Sequence, residues 1–225
     1  TTTTNDASST GVGTIDSVFQ ANTDAGFSIV TYTGTGSAGT IAHGLGAVPK
    51  WVLVKSRTLT TAWVMYHQGQ SSTPQNGYLA LNLSDDFFDT ITWNDTAPTS
   101  SVFSVGPSGY SSNNASATYV AYCFAEVTGF SKFGVYEGNL APSGSFINTG
   151  FRPAWLLIKN ADENGFNWYN YDSTRETNNP NSKYTIANAA LVETNYSGDS
   201  VDFLSNGFKL RTLANGRGTN RSASH

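Results

Sequence analysis

The chain has 225 residues and a net charge of -4 at pH 7. Only 12% of its residues are charged, against about 25% in a typical soluble domain, and this scarcity of lysine and arginine argues against nucleic acid as a partner. The single cysteine excludes an internal disulfide, and no apolar run approaches the roughly 20 residues of a transmembrane helix.

The first 25 residues are rich in threonine, serine, asparagine and glycine, with isolated apolar residues. This composition predicts a linker or a loosely attached arm over residues 1–25. From residue 26 onward, short runs of β-branched and aromatic residues alternate with glycine, proline and asparagine, which is typical of antiparallel β-sandwiches.

The strands predicted in residues 26–128 are 27–33, 51–55, 62–67, 77–83, 101–105 and 119–127. Those predicted in residues 129–225 are 133–136, 155–159, 166–171, 184–190 and 207–211. No window carries a sustained helical apolar stripe with caps. We therefore predict an all-β fold of two tandem antiparallel β-sandwich, jelly-roll-like repeats with little helix.

The two predicted repeats resemble each other in sequence. The run PKWVLVK at residues 49–55 returns as PAWLLIK at residues 153–159, and Asn114 aligns with Asn220. A duplicated unit of roughly 100 residues is thus the predicted building block. The second repeat stops at His225, where Tyr119 of the first would align, so we expect its last strand to be missing and a neighbouring strand edge to be open.

Several large side chains are predicted to be structural. Cys123 lies inside an apolar run and is interpreted as a buried, inert thiol. The tryptophans that recur at matching positions are predicted core residues: Trp51, Trp63, Trp155 and Trp168.

Four residues in turn-rich segments are candidates for ligand binding. Rings presented on loops suit a sugar-binding face, and Trp93, Tyr110 and Tyr196 lie in such loops, with Asn94 beside Trp93. Packing is the alternative interpretation for each ring.

The motifs that would indicate other chemistry are incomplete. The glycine-rich segment 34–39 precedes a segment broken by two further glycines, so it lacks the helix of a dinucleotide site and is interpreted as a hairpin loop. Three histidines and one cysteine give no zinc-binding spacing, and Asp85, Asp86 and Asp89 lack the alternating pattern of a calcium loop. We predict no metal, no cofactor and no catalytic residue.

Six segments carry a recognisable pattern: residues 44–49, 52–55, 96–103, 117–126, 149–154 and 201–209. They resemble a β-rich domain of tailed-phage virion proteins, found in tail-fibre and other structural proteins of marine and cyanobacterial phages. The resemblance extends from about residue 26 to the end and brings no catalytic motif.

The resemblance implies a non-enzymatic module of a tail fibre or spike that attaches to glycans on a host surface. It implies a homo-oligomer, with a trimer favoured, that contacts other virion proteins and is exposed on the extracellular particle. It implies no membrane insertion. Two alternatives stay open: a purely structural virion module, for capsid decoration or a fibre shaft, and a glycan depolymerase with two carboxylates facing each other across a cleft.

Overall fold

The computed structural model describes residues 1–212 and 218–221. These residues form 17 strands, one short α-helix and two 3-10 helices, which confirms the predicted all-β, sandwich-class fold. They divide into two compact units. Unit 1 comprises Thr1–Ala80 and Phe87–Phe133, and unit 2 comprises Leu81–Asp86 and Gly134–His225.

Unit 1 contains ten strands, the helix α1 (Ala7–Thr10) and two 3-10 helices, Pro74–Asn76 and Ile91–Trp93. The strands are β1 (Thr3–Asn5), β2 (Ser17–Asn22), β3 (Phe27–Thr33), β4 (Gly39–Ala42), β5 (Trp51–Ser56), β6 (Val64–His67), β7 (Gly77–Ala80), β8 (Phe88–Asp89), β9 (Val102–Val105) and β10 (Thr118–Phe124).

Eight of these strands form one sheet, in the order β1-β2-β3-β10-β5-β6-β7-β8, and β4 pairs with β9 as a separate ribbon. All of these pairings are antiparallel. Ile41 and Phe103 of the ribbon share one buried cluster with Val30, Val52 and Val54 of the sheet. The core of unit 1 therefore lies between the ribbon and one face of the large sheet.

The central strand β10 shows why this face can be closely covered. Its residues alternate between buried and partly buried along the whole strand, as expected when successive side chains point to opposite faces. Tyr119, Ala121 and Cys123 point into the core and are fully buried. Because two of these three side chains are small, there is room for the ribbon above them.

Unit 2 contains two smaller sheets, in the orders β12-β13-β14-β15 and β11-β17-β16. One buried cluster contains residues of both sheets, including Tyr171 and Tyr184 from the first and Phe203 and Leu210 from the second. The strands are β11 (Phe146–Asn148), β12 (Trp155–Ile158), β13 (Tyr169–Asp172), β14 (Lys183–Ile186), β15 (Thr194–Asn195), β16 (Asp199–Leu204) and β17 (Gly207–Thr212).

The structure corrects the expected arm at residues 1–25. Strands β1 and β2 belong to the large sheet, and β2 pairs with β3 over its full length. Asn5 and Ser17 are buried, and Asp6 caps α1 by accepting a hydrogen bond from the Ser9 backbone N–H. Polar side chains here make specific contacts, so their abundance does not produce a loose arm.

Two further expectations are corrected by the structure, and a third falls outside the residues that it describes. Trp155 is 50% exposed, which corrects its assignment to the core, whereas Cys123 and Trp168 are buried and Trp51 and Trp63 are partly buried. Residues 133–136 form no strand. Residues 222–225, where the last strand of the second repeat was expected to be cut, lie outside the described part of the chain.

Each unit contains a buried asparagine that bridges two chain segments in a similar way. Asn113 accepts a hydrogen bond from the Thr35 backbone N–H at 2.9 Å, and Asn220 accepts one from the Asn139 backbone N–H at 3.0 Å. The Asn113 amide also donates to the Ser37 carbonyl, as the Asn220 amide does to that of Ala141. In the structure, Asn220 therefore corresponds to Asn113, whereas sequence alignment pairs Asn220 with Asn114. Duplication remains our interpretation of this correspondence.

Candidate functional site

The large sheet of unit 1 has a second face, opposite the ribbon, which we call the outer face. On β10 it carries the partly buried residues Thr118, Val120, Tyr122 and Phe124, which alternate with the core residues. Strand register then fixes their neighbours, because Thr118 lies opposite Thr33 on β3 and the other pairs follow along the strand. A polar end and an aromatic end result from this register.

The polar end of the outer face contains an open cavity of about 480 Å³. Pockets for small ligands span about 300–1,000 Å³ and are mostly apolar with a few polar groups; the polar groups of this cavity are several hydroxyls, two carboxylates and one guanidinium. The lining residues come from the region of β1, β2, β3 and the start of β10. They are Thr4, Asn5, Asp6, Asp16, Ser17, Val18, Thr31, Tyr32, Thr33, Arg57 and Thr118.

The two carboxylates of the cavity are oriented by the helix α1. One oxygen of Asp6 accepts hydrogen bonds from the Ser8 hydroxyl at 2.7 Å and the Ser9 backbone N–H at 3.1 Å. The Ser8 hydroxyl, and then the Ser9 N–H, lower the pKa of Asp6 because they stabilise its charged form. Asp16 accepts from the Ala7 backbone N–H at 2.9 Å. Both groups are thus fixed as hydrogen-bond acceptors.

Four of the other polar side chains of the cavity are available as donors. Within the described residues, the guanidinium of Arg57 makes no hydrogen bond or ion pair, and the hydroxyls of Thr4, Thr33 and Thr118 make no hydrogen bond. A guanidinium presents five N–H donors in one plane. Acceptors just before α1 and just before β2, and donors on β1, on β3, just after β5 and on β10, therefore line one concave surface.

The cavity itself presents no stacking ring. Its only aromatic residue, Tyr32, is 5% exposed, and its hydroxyl donates to the Ser112 carbonyl at 2.6 Å. Burial raises the pKa of Tyr32 well above its ordinary value. Tyr32 is therefore part of the core beneath the cavity.

Partly buried rings lie instead at the aromatic end of the outer face. Trp51 stacks on Phe124 with ring centroids 4.6 Å apart, and Phe27 lies 4.7 Å from Phe124. Tyr122 lies parallel to Phe27, at 6.4 Å and an interplanar angle of 6°. Tyr122 lies opposite Ile29 in the β3–β10 pair. Ile29 lies two residues, about 7 Å along β3, from the cavity residue Thr31.

The structure disperses the four residues predicted to bind a ligand. Trp93 is 2% exposed and its indole N–H donates to the Gly77 carbonyl at 2.9 Å, which corrects its predicted place on a binding loop. Asn94 ends a 3-10 helix with φ 51°. Tyr110 and Tyr196 are 36% and 40% exposed, in units 1 and 2 respectively. None of the four lines the cavity.

The outer face was missed because the sequence of β10 hides its alternation. The run YVAYCFA is apolar throughout, which favours a strand buried on both faces. Side-chain volume carries the missing signal, since the small residues Ala121 and Cys123 alternate with the larger Val120, Tyr122 and Phe124. Arg57 could not be associated with Thr4 or Asp16, because only sheet pairing brings these distant segments together.

The described residues contain neither a metal-binding group nor a membrane-spanning helix. Residues 1–212 and 218–221 contain no group of three or more His, Cys, Asp or Glu placed to hold a metal ion. None of the helices in this part of the chain is long and apolar enough to cross a membrane.

Comparison with known proteins adds a family. Residues 2–224 match the family described as a domain of unknown function, DUF7483. The chain belongs to this family. Comparisons with curated proteins and with solved structures find no match.

Proposed function

We propose that this protein is a non-enzymatic module of a phage virion, of the tail-fibre or spike type, that attaches to glycans on a bacterial surface through the outer face of unit 1. The observation that carries the proposal is that an open cavity lined by several hydroxyls and the partly buried ring of Tyr122 lie close together on one sheet face. The sequence resemblance to tail-fibre proteins supplies the biological setting.

The chemistry of the outer face matches that of a saccharide. Sugar hydroxyls both donate and accept, and the cavity offers the acceptors Asp6 and Asp16 together with the donor Arg57. A sugar ring also has an apolar face of C–H groups, for which an aromatic side chain is a suitable surface. Tyr122 and Ile29 supply that surface about 7 Å from the cavity rim, which is within reach of a neighbouring sugar.

The open shape of the cavity favours weak single-site binding. An oligomer gains strength from several weak sites, because linked sites raise the effective concentration of one another. A homo-oligomeric fibre, with a trimer favoured, beside other virion proteins on the outside of the particle is the assembly we propose.

The carboxylates favour binding over hydrolysis. A glycosidase general acid needs an environment that favours its protonated form. Glu126 instead lies 2.8 Å from the Lys132 ammonium, and Glu163 lies 2.8 Å from the Arg221 guanidinium. Asp6, in the cavity itself, is held in its charged form by Ser8 and Ser9.

The proposal is tested on an array of bacterial surface polysaccharides. The full chain is biotinylated and displayed on streptavidin, so that avidity makes weak binding measurable. We expect binding to a subset of saccharides and at least a tenfold loss in Arg57→Gln, because a charge-assisted hydrogen bond contributes about 1.5–3 kcal/mol. Tyr122→Ala is expected to lose affinity for the same saccharides.

Lys50→Gln is the matched control, since it removes one positive charge at a residue outside the cavity. It should leave binding unchanged. Binding that is lost equally in Arg57→Gln and Lys50→Gln would reveal a non-specific charge effect and contradict the proposed site. Absence of binding to any saccharide would contradict the function.

A further inference from the structure

One row of polar side chains in the cavity crosses the large sheet of unit 1. Register places Thr118 of β10 opposite Thr33 of β3, and the Arg57 backbone N–H donates to the Thr118 carbonyl at 2.7 Å. The register of β2 on β3 places Asp16, one residue before β2, beside Thr33. The row therefore runs from Asp16 through the two threonines to Arg57, and all four residues line the cavity.

The charges of this row lie at its two ends. Neighbouring strands are about 4.8 Å apart, so the backbones at Asp16 and Arg57 are about three spacings, roughly 14 Å, apart along the sheet. Asp6 is at the same end as Asp16, because the Ala7 backbone N–H next to it donates to Asp16 at 2.9 Å. Exposed charges are largely screened beyond about 8 Å at physiological ionic strength. The carboxylates therefore do not neutralise Arg57, and they repel an anion bound there only weakly.

The two ends of the row also differ in their hydrogen bonds. Asp6 accepts from the Ser8 hydroxyl and the Ser9 backbone N–H, and Asp16 accepts from the Ala7 backbone N–H. The guanidinium of Arg57 has no such partner in residues 1–212 and 218–221. Among the charged side chains that line the cavity, the uncompensated one is the cation.

Arg57 differs in this respect from the other cations around it and from the other arginines. Lys55 precedes it by two residues on β5, and the Lys55 ammonium donates to the Thr61 carbonyl at 2.6 Å. Every other arginine that the structure describes bonds to a carboxylate or to a backbone carbonyl. These arginines are Arg152, Arg175, Arg211 and Arg221.

A ligand that covers the cavity replaces the water around this guanidinium. Removing a charge from water costs free energy unless an opposite charge and hydrogen bonds take the place of the water. A neutral sugar supplies only hydroxyl oxygens, whereas a carboxylate supplies negative charge and two oxygens that match the planar fork of a guanidinium. The hydroxyls of Thr33 and Thr118 lie next in the row and add donors for the same ligand. An acidic sugar therefore complements this end of the cavity best.

We propose that the cavity selects acidic glycans, whose sugar residues carry a carboxylate, and that this carboxylate binds the guanidinium of Arg57. Thr33 and Thr118 donate to the oxygens of the same sugar residue, and Asp16 accepts from a sugar hydroxyl at the other end of the row. This inference rests on the proposed attachment to glycans, to which it adds the chemical class and the orientation of the ligand.

Carboxyl reduction tests the class of ligand, because it converts each carboxylate into a neutral primary alcohol and leaves the rest of the sugar unchanged. The probes are oligosaccharides of polygalacturonate, polymannuronate and polysialate, each beside its carboxyl-reduced form. Their binding to the full chain, displayed on streptavidin, is measured by biolayer interferometry. We expect an acidic form to bind about tenfold or more tightly than its reduced form, because reduction removes charge-assisted hydrogen bonds to Arg57.

Variants at the two ends of the row separate their roles. Arg57→Gln should bind the acidic and reduced forms equally, because the group that distinguishes them is removed. Arg57→Lys keeps the charge without the planar fork and should retain only part of the preference. Asp16→Asn keeps an acceptor oxygen of lower charge and should weaken both forms by the same factor. Lys50→Gln, which removes a positive charge outside the cavity, should leave both affinities unchanged.

The outcomes distinguish this inference from the proposed function. If the saccharides that bind are neutral, or if acidic and reduced forms bind equally, the inference is overturned and attachment to glycans stands. A preference for the acidic form that persists in Arg57→Gln would overturn the pairing of the carboxylate with Arg57. Tighter binding of a glycerol-phosphate polymer than of every carboxylated oligosaccharide would overturn the carboxylate as the anionic group. Absence of binding to any saccharide would overturn both the inference and the function.

Discussion

Replacement of Asn113 by alanine is expected to cost about 3 kcal/mol of the free energy of unfolding of unit 1. The side chain is fully buried. It accepts from the Thr35 N–H at 2.9 Å and donates to the carbonyls of Ser37 at 2.6 Å and Gly106 at 2.9 Å. Each of the three hydrogen bonds contributes about 1 kcal/mol, which together gives about 3 kcal/mol.

The neighbouring asparagine provides the control. Asn114 accepts from the Gly109 N–H at 2.7 Å and is only partly buried, so Asn114→Ala should cost about 1 kcal/mol or less. Urea unfolding followed by tryptophan fluorescence measures both variants, because Trp93 reports on the core of unit 1. If Asn113→Ala cost no more than Asn114→Ala, the assignment of the bridging role to Asn113 would be refuted.

Three further predictions concern buried groups of unit 1. Trp93→Ala should cost about 3–5 kcal/mol, whereas Tyr110→Ala on its exposed loop should stay within about 0.5 kcal/mol; equal costs in urea unfolding would contradict this placement. Burial lowers the pKa of His67 from 6.5 to about 4, and its Nδ1 accepts from the Gly69 N–H. The unfolded state then binds the proton first, so the stability contributed by neutral His67 is complete above pH 6.5 and is lost as the pH falls toward 4. His67→Gln should flatten stability against pH over that window, and an unchanged profile would refute the assignment. Burial also raises the pKa of Cys123, so a thiol reagent should label the native chain only as fast as it unfolds, and rapid labelling in native buffer would contradict its burial.

Much of the strand pattern could be predicted because it is local. Residues 27–33 form β3 as predicted, and the repeated tryptophan runs both form strands. Strands β1 and β2 and the helix α1 could not be predicted from composition, because β1 and α1 are mostly Ser, Thr and Asn and β2 carries only a few apolar residues. The Asp6 cap and the pairing with β3 stabilise that segment, and pairing between distant segments is not visible in local composition.

The environment of a repeated residue was harder to predict than its conformation. Trp51 and Trp155 occupy equivalent strands, but only Trp51 has a ring from β10 against it. The repeated sequence indicated similar backbones, but it could not show which side chains pack against each tryptophan. The candidate site could not be predicted for the same reason. Arg57, Thr118 and Asp16 line one cavity only when β2, β3, β5 and β10 are paired.

The most direct test of the account is to map a bound saccharide on the protein. Backbone amide shifts of the full, isotope-labelled chain are followed by NMR during titration with a saccharide that binds on the array. We expect the largest shifts to fall on Arg57, Thr118 and Tyr122 and to disappear in Arg57→Gln. Shifts confined to the loops of Tyr110 or Tyr196, with Arg57 and Tyr122 unaffected, would contradict the outer face as the site of glycan attachment.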